Sequence, residues 1–263
     1  MNEEYIVEQR VGKRSNGKTI GVQNNYNGIT PEKAVEITNK LFIDNFPKLQ
    51  EQALELVNQR ISELQNSIFE RLRGTGFVNY GVFADPDMQY TYFEAQKSYA
   101  RFGTDELLNI LSSLIVSKAE NSGNDYKKRV IDSAISIAGQ LTKNQINYLT
   151  VTFLLKNAKF NGIETIEQLK IIYLTIEYGF SPINSSGFSL LNSLGCFDLN
   201  IGKIADVHTK VYGFQKDDIL SVMPKAFELI PADYGASDIG KVIAITNANS
   251  KTKFNFNIDT FIV

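Results

Sequence analysis

The residues best suited to chemistry lie near the start of the chain. Gly12-Lys13-Arg14-Ser15-Asn16-Gly17-Lys18-Thr19 matches the spacing G-x-x-x-x-G-K-[ST] of a nucleotide-binding loop. In that loop glycines let backbone N–H groups cradle phosphates, the lysine meets the terminal phosphates and the threonine holds magnesium. The mechanism needs a buried strand before the loop and a helix directly after it. Tyr5 to Val11 is a poor strand, and Ile20 to Asn27 is too rich in Gly and Asn for a good helix. Gly12, Gly17, Lys18 and Thr19 therefore stand as an alternative nucleotide site, with a chance match as the plainer reading. The four basic residues between Arg10 and Gly28 face no acidic residue, yet Tyr26 is the only ring among them. A solvated basic loop explains them without nucleic acid.

Elsewhere the usual reactive sets are missing. His208 and Cys196 are the only residues of their kinds. Asp206 and Thr209 beside His208 do not compose a catalytic triad, and a lone cysteine is most often a buried thiol. A zinc site within one chain is excluded by ligand count, as is an intrachain disulfide. Asp85 with Asp87, and Asp217 with Asp218, sit where carboxylates favour the start of a helix and need no catalytic role. Tyr90, Tyr92, Phe93, Tyr99 and Phe102 are five rings on one helix, which core packing explains with hydroxyls at its rim. No catalytic residue, metal or cofactor is assigned.

Composition agrees with a globular protein in a reducing compartment. Of 263 residues, 43% are apolar and 21% charged, and the net charge of −2 gives no global pull toward nucleic acid or anionic lipid. No apolar run is long enough to span a bilayer, and Met1 to Gln9 lacks the order of a signal peptide. The cytoplasm is the expected location.

The element that organises the chain runs from Thr30 to Gly74. Thr30 can cap a helix, Pro31 suits its first turn and Glu32 favours the positive end of its dipole. Phe46, Leu49, Ala53, Val57, Ile61, Leu64, Ile68 and Leu72 recur at spacings of three and four, with Gln- and Glu-rich positions opposite. Straight, such a helix would reach about 60 Å, whereas a globule of this length is less than ~50 Å across. Two alternatives stay open at Pro47: a break, with Asn45 capping a second helix, or one kinked helix. The apolar stripe is either intramolecular core or a coiled-coil-like seam between copies.

On either side of that helix the signals differ. Residues 1–29 form a Gly/Asn-rich segment in which Ile20 and Val22 suit a short strand. A lone strand must join a sheet, so this segment either pairs between subunits or has no fixed structure. From Asp85 the helices come in series: Asp85–Pro86 to Phe102, a helix capped by Thr104, another ending at Gly139, and two opened by the capping boxes Thr142/Gln145 and Thr165/Gln168. Beyond Pro182 the spacing supports a short helix at Phe188 to Leu194 and one interrupted at Pro224 between Asp217 and Ile230. Ser237 to Ile245 suits a short helix or a buried strand, and Phe254 to Ile258 alternates like a terminal strand. The expected fold is mainly α: a multi-helix bundle with one long N-terminal amphipathic helix and a small α+β C-terminal appendage. Its divisions are 1–29, 30–182 and 183–263.

Certain residues also resemble a known family. They are Val22-Gln23-Asn24 before Gly28 and Thr30; Asn45, Ala53 and Arg60; Pro86-Asp87-Met88-Gln89 with Ala95-Gln96-Lys97 and Tyr99-Ala100; and Leu141-Thr142 with Leu149-Thr150 and Phe153-Leu154-Leu155. Together they look like an uncharacterised bacterial family of helical proteins found on mobile and defence-associated stretches of genomes. The likeness reaches to about residue 180, with Gly240 to Ile245 similar to the family's C-terminal part. It implies a role in immunity against phage and supplies no catalytic residues.

Taken together, these readings lead to a homo-oligomeric helical scaffold or effector component of antiphage defence, with no catalytic set and itself as first partner. Its expected interface comprises Ile20, Val22, Leu49, Val57, Ile61, Leu64 and Ile68. The alternatives are a nucleotide- or nucleic-acid-binding enzyme using Lys18 and its neighbours, and a sensor that binds a phage or host protein through the C-terminal third.

Overall fold

The computed structural model describes residues 31–121 and 123–262, with backbone alone at 31, 32, 34 and 42. The nucleotide-loop residues Gly12, Gly17, Lys18 and Thr19, the strand around Ile20 and Val22, and the cap Thr30 lie outside the described residues. The chain divides into two compact units, residues 1–50 and 51–263.

Helix α1 spans Pro31–Gly74 and remains helical through Pro47. Of the two alternatives at Pro47 the unbroken helix is the one adopted. Asn45 caps nothing, because its side-chain amide donates to the Leu41 carbonyl one turn earlier at 2.7 Å. In the first unit, every described side chain of α1 is exposed.

The second unit contains the rest of α1 and all the elements that follow. A single-turn 3-10 helix at Tyr80–Ala84 leads into α2 (Pro86–Phe102), α3 (Asp105–Glu120), α4 (Asp125–Ala138), α5 (Lys143–Lys156) and α6 (Ile166–Phe180). The starts fall where capping chemistry puts them. Asp85 accepts from the Asp87 and Met88 amides, Thr104 from Leu107, and Asn124 from Lys127. The capping boxes Thr142/Gln145 and Thr165/Gln168 are both closed, each satisfying two orphan donors. At the end of α2, Gly103 takes φ +58°, and Arg60 of α1 donates to the Ala100 and Arg101 carbonyls at 2.7 and 3.1 Å. A side chain at Gly103 would collide with that guanidinium.

Beyond residue 182 come the short elements α7 (Phe188–Ser193), β1 (Phe197–Leu199), α8 (Ile204–Tyr212), α9 (Lys216–Val222) and β2 (Tyr234–Ala236), and then the full-length helix α10 (Asp238–Lys251). Strands β1 and β2 pair antiparallel with Phe197 opposite Ala236. Ser237 caps α10, which settles the helix-or-strand alternative there in favour of helix. Val242, Ile243, Ala244, Ile245 and Ala248 of α10 are all but fully buried, and the helix packs on α3, α4 and α5. Phe254 to Ile258 forms no strand. Asn249 occupies both backbone groups of Phe256, donating to its carbonyl at 2.8 Å and accepting from its amide at 2.9 Å. A side-chain amide thus supplies the pairing that a neighbouring strand would have given. Among the described residues no helix is long and apolar enough to cross a membrane.

Candidate functional site

The apolar stripe of α1 divides along its length. Leu64, Ile68 and Leu72 are completely buried in the core of the second unit, against α2 and its neighbours. Val57 and Ile61 are half-buried, and Leu49 is exposed. Leu64 and Ile68, expected at an interface between copies, are therefore covered by their own chain and unavailable to another. The covered part is also tied by polar contacts. The Tyr99 hydroxyl donates to Glu63 Oε2 at 2.9 Å, and burial, followed by that carboxylate, pushes its pKa up to about 12. Farther toward the N-terminus the picture reverses. Val35, Ile37, Leu41, Ile43 and Leu49 are each between 39% and 67% exposed. At about 100° per residue these five positions fan over roughly 240° of the helix circumference.

Inside the second unit the buried lysines are spent on structure. Lys118 of α3, 3% exposed, donates to Thr91 Oγ1 at 2.5 Å and Asp132 Oδ1 at 2.6 Å, and lies 2.8 Å from Asp87 Oδ2. Its three N–H groups thus meet three oxygens from α2 and α4. The reading of Asp85 and Asp87 as helix-start carboxylates fits, one as cap and the other as ion-pair partner. Asp217 and Asp218 are exposed in the first turn of α9. Lys156, at the end of α5, points into a cage of backbone carbonyls, those of Asn200, Pro231, Ala232 and Tyr234, at 2.7–3.0 Å. Burial lowers its pKa from the ordinary lysine value. Neither lysine is signalled by the sequence, since each stands in the last turn of its helix, where a basic residue suits the dipole without any buried partner.

His208 is buried between α5 and α6. Its Nε2 lies 2.8 Å from the Leu155 carbonyl, which can only accept, so the proton sits on Nε2. Nδ1 accordingly accepts from the Tyr173 hydroxyl at 2.7 Å. Burial depresses the imidazole pKa to about 4 and raises that of Tyr173. The same cause lifts the Cys196 thiol to about 12. These groups are neutral and fully partnered or sealed from solvent, as a satisfied core requires. The ring cluster on α2 is divided too: Tyr99 is core, Tyr92 half-buried, and Tyr90, Phe93 and Phe102 are exposed. Among the described residues no group of His, Cys, Asp or Glu is arranged to hold a metal ion.

No curated protein and no solved structure matches the chain. One family model does, over residues 28–235, from just before α1 through the first residues of β2. The chain belongs to the family of that model, which is described only as “:-like” and is uncharacterised.

Proposed function

We propose that the protein is a homo-oligomeric scaffold or effector component of bacterial antiphage defence, assembled through the N-terminal half of α1. The observation that carries the assembly is the exposed apolar fan of Val35, Ile37, Leu41, Ile43 and Leu49. A helix of about twenty residues whose described side chains are exposed is marginal in water, so its stability calls for cover. Five half-exposed side chains of this size offer on the order of 350 Å² of apolar area per copy, as much as the largest apolar patch on an ordinary monomer, here concentrated on about twenty residues of one helix. Two such arms supply about 700 Å² from these side chains alone, and their flanks bring the sum toward the ~1,200 Å² of a standard interface. A fan of roughly 240° is wider than the ~100° stripe that one neighbouring helix covers. More than one neighbour per arm follows, which favours a bundle of three or more copies over a simple pair. The defence role is supported by the family resemblance of the sequence and by the lack of any catalytic set among the described residues.

The test is light scattering on the full chain at micromolar concentration. Wild type is expected to run as a multiple of the chain mass, and the double variant Ile43→Glu, Leu49→Glu as a single chain with its helical circular dichroism retained. A wild-type monomer would remove the physical basis of the proposal. A monomer that associates once residues 1–30 are deleted would identify that segment as the cover instead. Phage plating on cells carrying wild type or the double variant tests the biological half: equal plating with and without the protein counts against defence.

A further inference from the structure

A cleft of about 450 Å³ opens between α3, α10 and the C-terminal segment, with Arg71 from the last turn of α1 at one end. Its walls are polar. Ser113 and Ser117 lie one turn apart on α3, Thr246, Asn249 and Ser250 line it from α10, and Asn255, Asn257 and Asp259 close it from the C-terminal side. The far wall is held in place at several points. Asn249 grips Phe256 through both backbone groups, Asn257 accepts from the Asp259 amide at 2.9 Å, and the Asp259 carboxylate pairs with Lys127. A wall pinned in this way keeps its shape when empty, so a ligand entering it orders little of the protein.

The lining groups fall into two sets. Thr246 and Ser250 return their hydroxyls to carbonyls of their own helix, at 2.7 and 2.9 Å. Among the described residues, the hydroxyls of Ser113 and Ser117 and the amide of Asn255 have no such partner, and they face the cleft. Arg71 is half-buried, and among the described residues its bonds go to neutral oxygens, Asn109 Oδ1 at 2.7 Å and Ser67 Oγ at 3.5 Å. No carboxylate pairs with it among the described residues. Partial burial lowers its pKa, so the site carries a desolvation cost that an entering anion would relieve.

We propose that this cleft binds a phosphate monoester bearing hydroxyl groups, with Arg71 on the phosphate and Ser113, Ser117 and Asn255 on the hydroxyls. A planar guanidinium presents a fork that matches phosphate oxygens. The volume is in the range of small-molecule sites, and the wealth of hydroxyl and amide groups suits a polyol rather than an apolar ligand. Charge limits the choice further. The charge of Arg71 is balanced by Glu120, and Asp259 is already paired with Lys127, so the cleft has no positive charge to spare and each added phosphate group brings further repulsion, which favours a monoester over a diphosphate or triphosphate. The chemistry is common to a sugar phosphate and a nucleoside monophosphate. The site is independent of the arm and stands or falls without the assembly.

Calorimetric titration of the full chain decides it, with ribose 5-phosphate, adenosine 5′-monophosphate, ribose and adenosine 5′-triphosphate as probes. Saturable binding of either monophosphate, at least tenfold tighter than ribose or the triphosphate, is expected. Preference for ribose 5-phosphate marks a sugar-phosphate site, and preference for the nucleotide a nucleoside monophosphate site. Arg71→Met should weaken that binding tenfold or more. Because this substitution also removes the bond to Asn109, the pair Ser113→Ala, Ser117→Ala serves as a second arm and should weaken binding several-fold with the thermal midpoint unchanged. No saturable heat with either monophosphate overturns the proposal. So does equal affinity in both well-folded variants.

Discussion

Protonation of His208 should cost this protein a defined amount of stability over a defined range of pH. The imidazole is 1% exposed, and with its proton on Nε2 both ring nitrogens are already committed. Charging it would put a second proton on Nδ1, against the Tyr173 oxygen that now donates to it, in a site where no carboxylate pairs with it among the described residues. Burial thus holds the folded pKa at about 4, below the value of 6.5 that applies to a free histidine. The unfolded chain takes up the proton first, so stability is complete above pH 6.5 and declines as the pH falls toward 4. The slope is about 1.4 kcal/mol per pH unit for one proton, and the total is roughly 3 kcal/mol. Carboxylates titrate at the lower end of this range, so the comparison should be with His208→Gln, whose amide can still donate to Leu155. Urea unfolding at pH 7.0 and 4.5 is expected to show an extra loss of 2–3 kcal/mol in wild type relative to the variant, on the order set by those constants. The single imidazole also gives one proton resonance to follow. If that resonance titrates between pH 6 and 7 in the folded protein, the burial argument is refuted.

Three further outcomes are expected. Gly240→Ala places a methyl group against the Cys196 carbonyl and Leu149; a backbone oxygen cannot turn aside, so thermal unfolding should show a loss of about 3 kcal/mol or more. Lys156→Met removes a donor from four half-buried carbonyls, of which that of Ala232 keeps the Gly202 amide, and denaturant titration should register a loss of about 3 kcal/mol. The Cys196 thiol should resist a disulfide reagent for hours in the native protein and react stoichiometrically once denatured, since the thiolate is the nucleophile and burial suppresses it; rapid native labelling would contradict the packing around β1.

The parts of the fold that sequence foretold are those set by local chemistry. Capping residues act within four positions, so Asp85, Thr104, Thr142, Thr165 and Ser237 marked their helices without any tertiary information. Pro47 misleads as a breaker because the rest of α1 outweighs one lost hydrogen bond. Strand β1 went unseen, three residues being too few for an alternation. Phe254 to Ile258 has the alternation without the strand, because the partner that fixes it is an amide on α10. The site residues show the same boundary. Leu49 and Leu64 share a stripe, and only the tertiary packing of α1 separates the covered half from the exposed one. Arg71 and Ser113 are 42 positions apart, and neither belongs to a motif, so their convergence had no linear signature.

The carbonyl cage around Lys156 has the donor arrangement by which proteins hold a monovalent metal ion, with an ammonium group in the metal's place. Here the positive charge is covalently attached to α5 and cannot be dialysed, chelated or exchanged for another cation. The joint between that helix and the chain just after β1 and around the start of β2 is therefore expected to keep its grip in sodium, potassium or salt-free buffer alike.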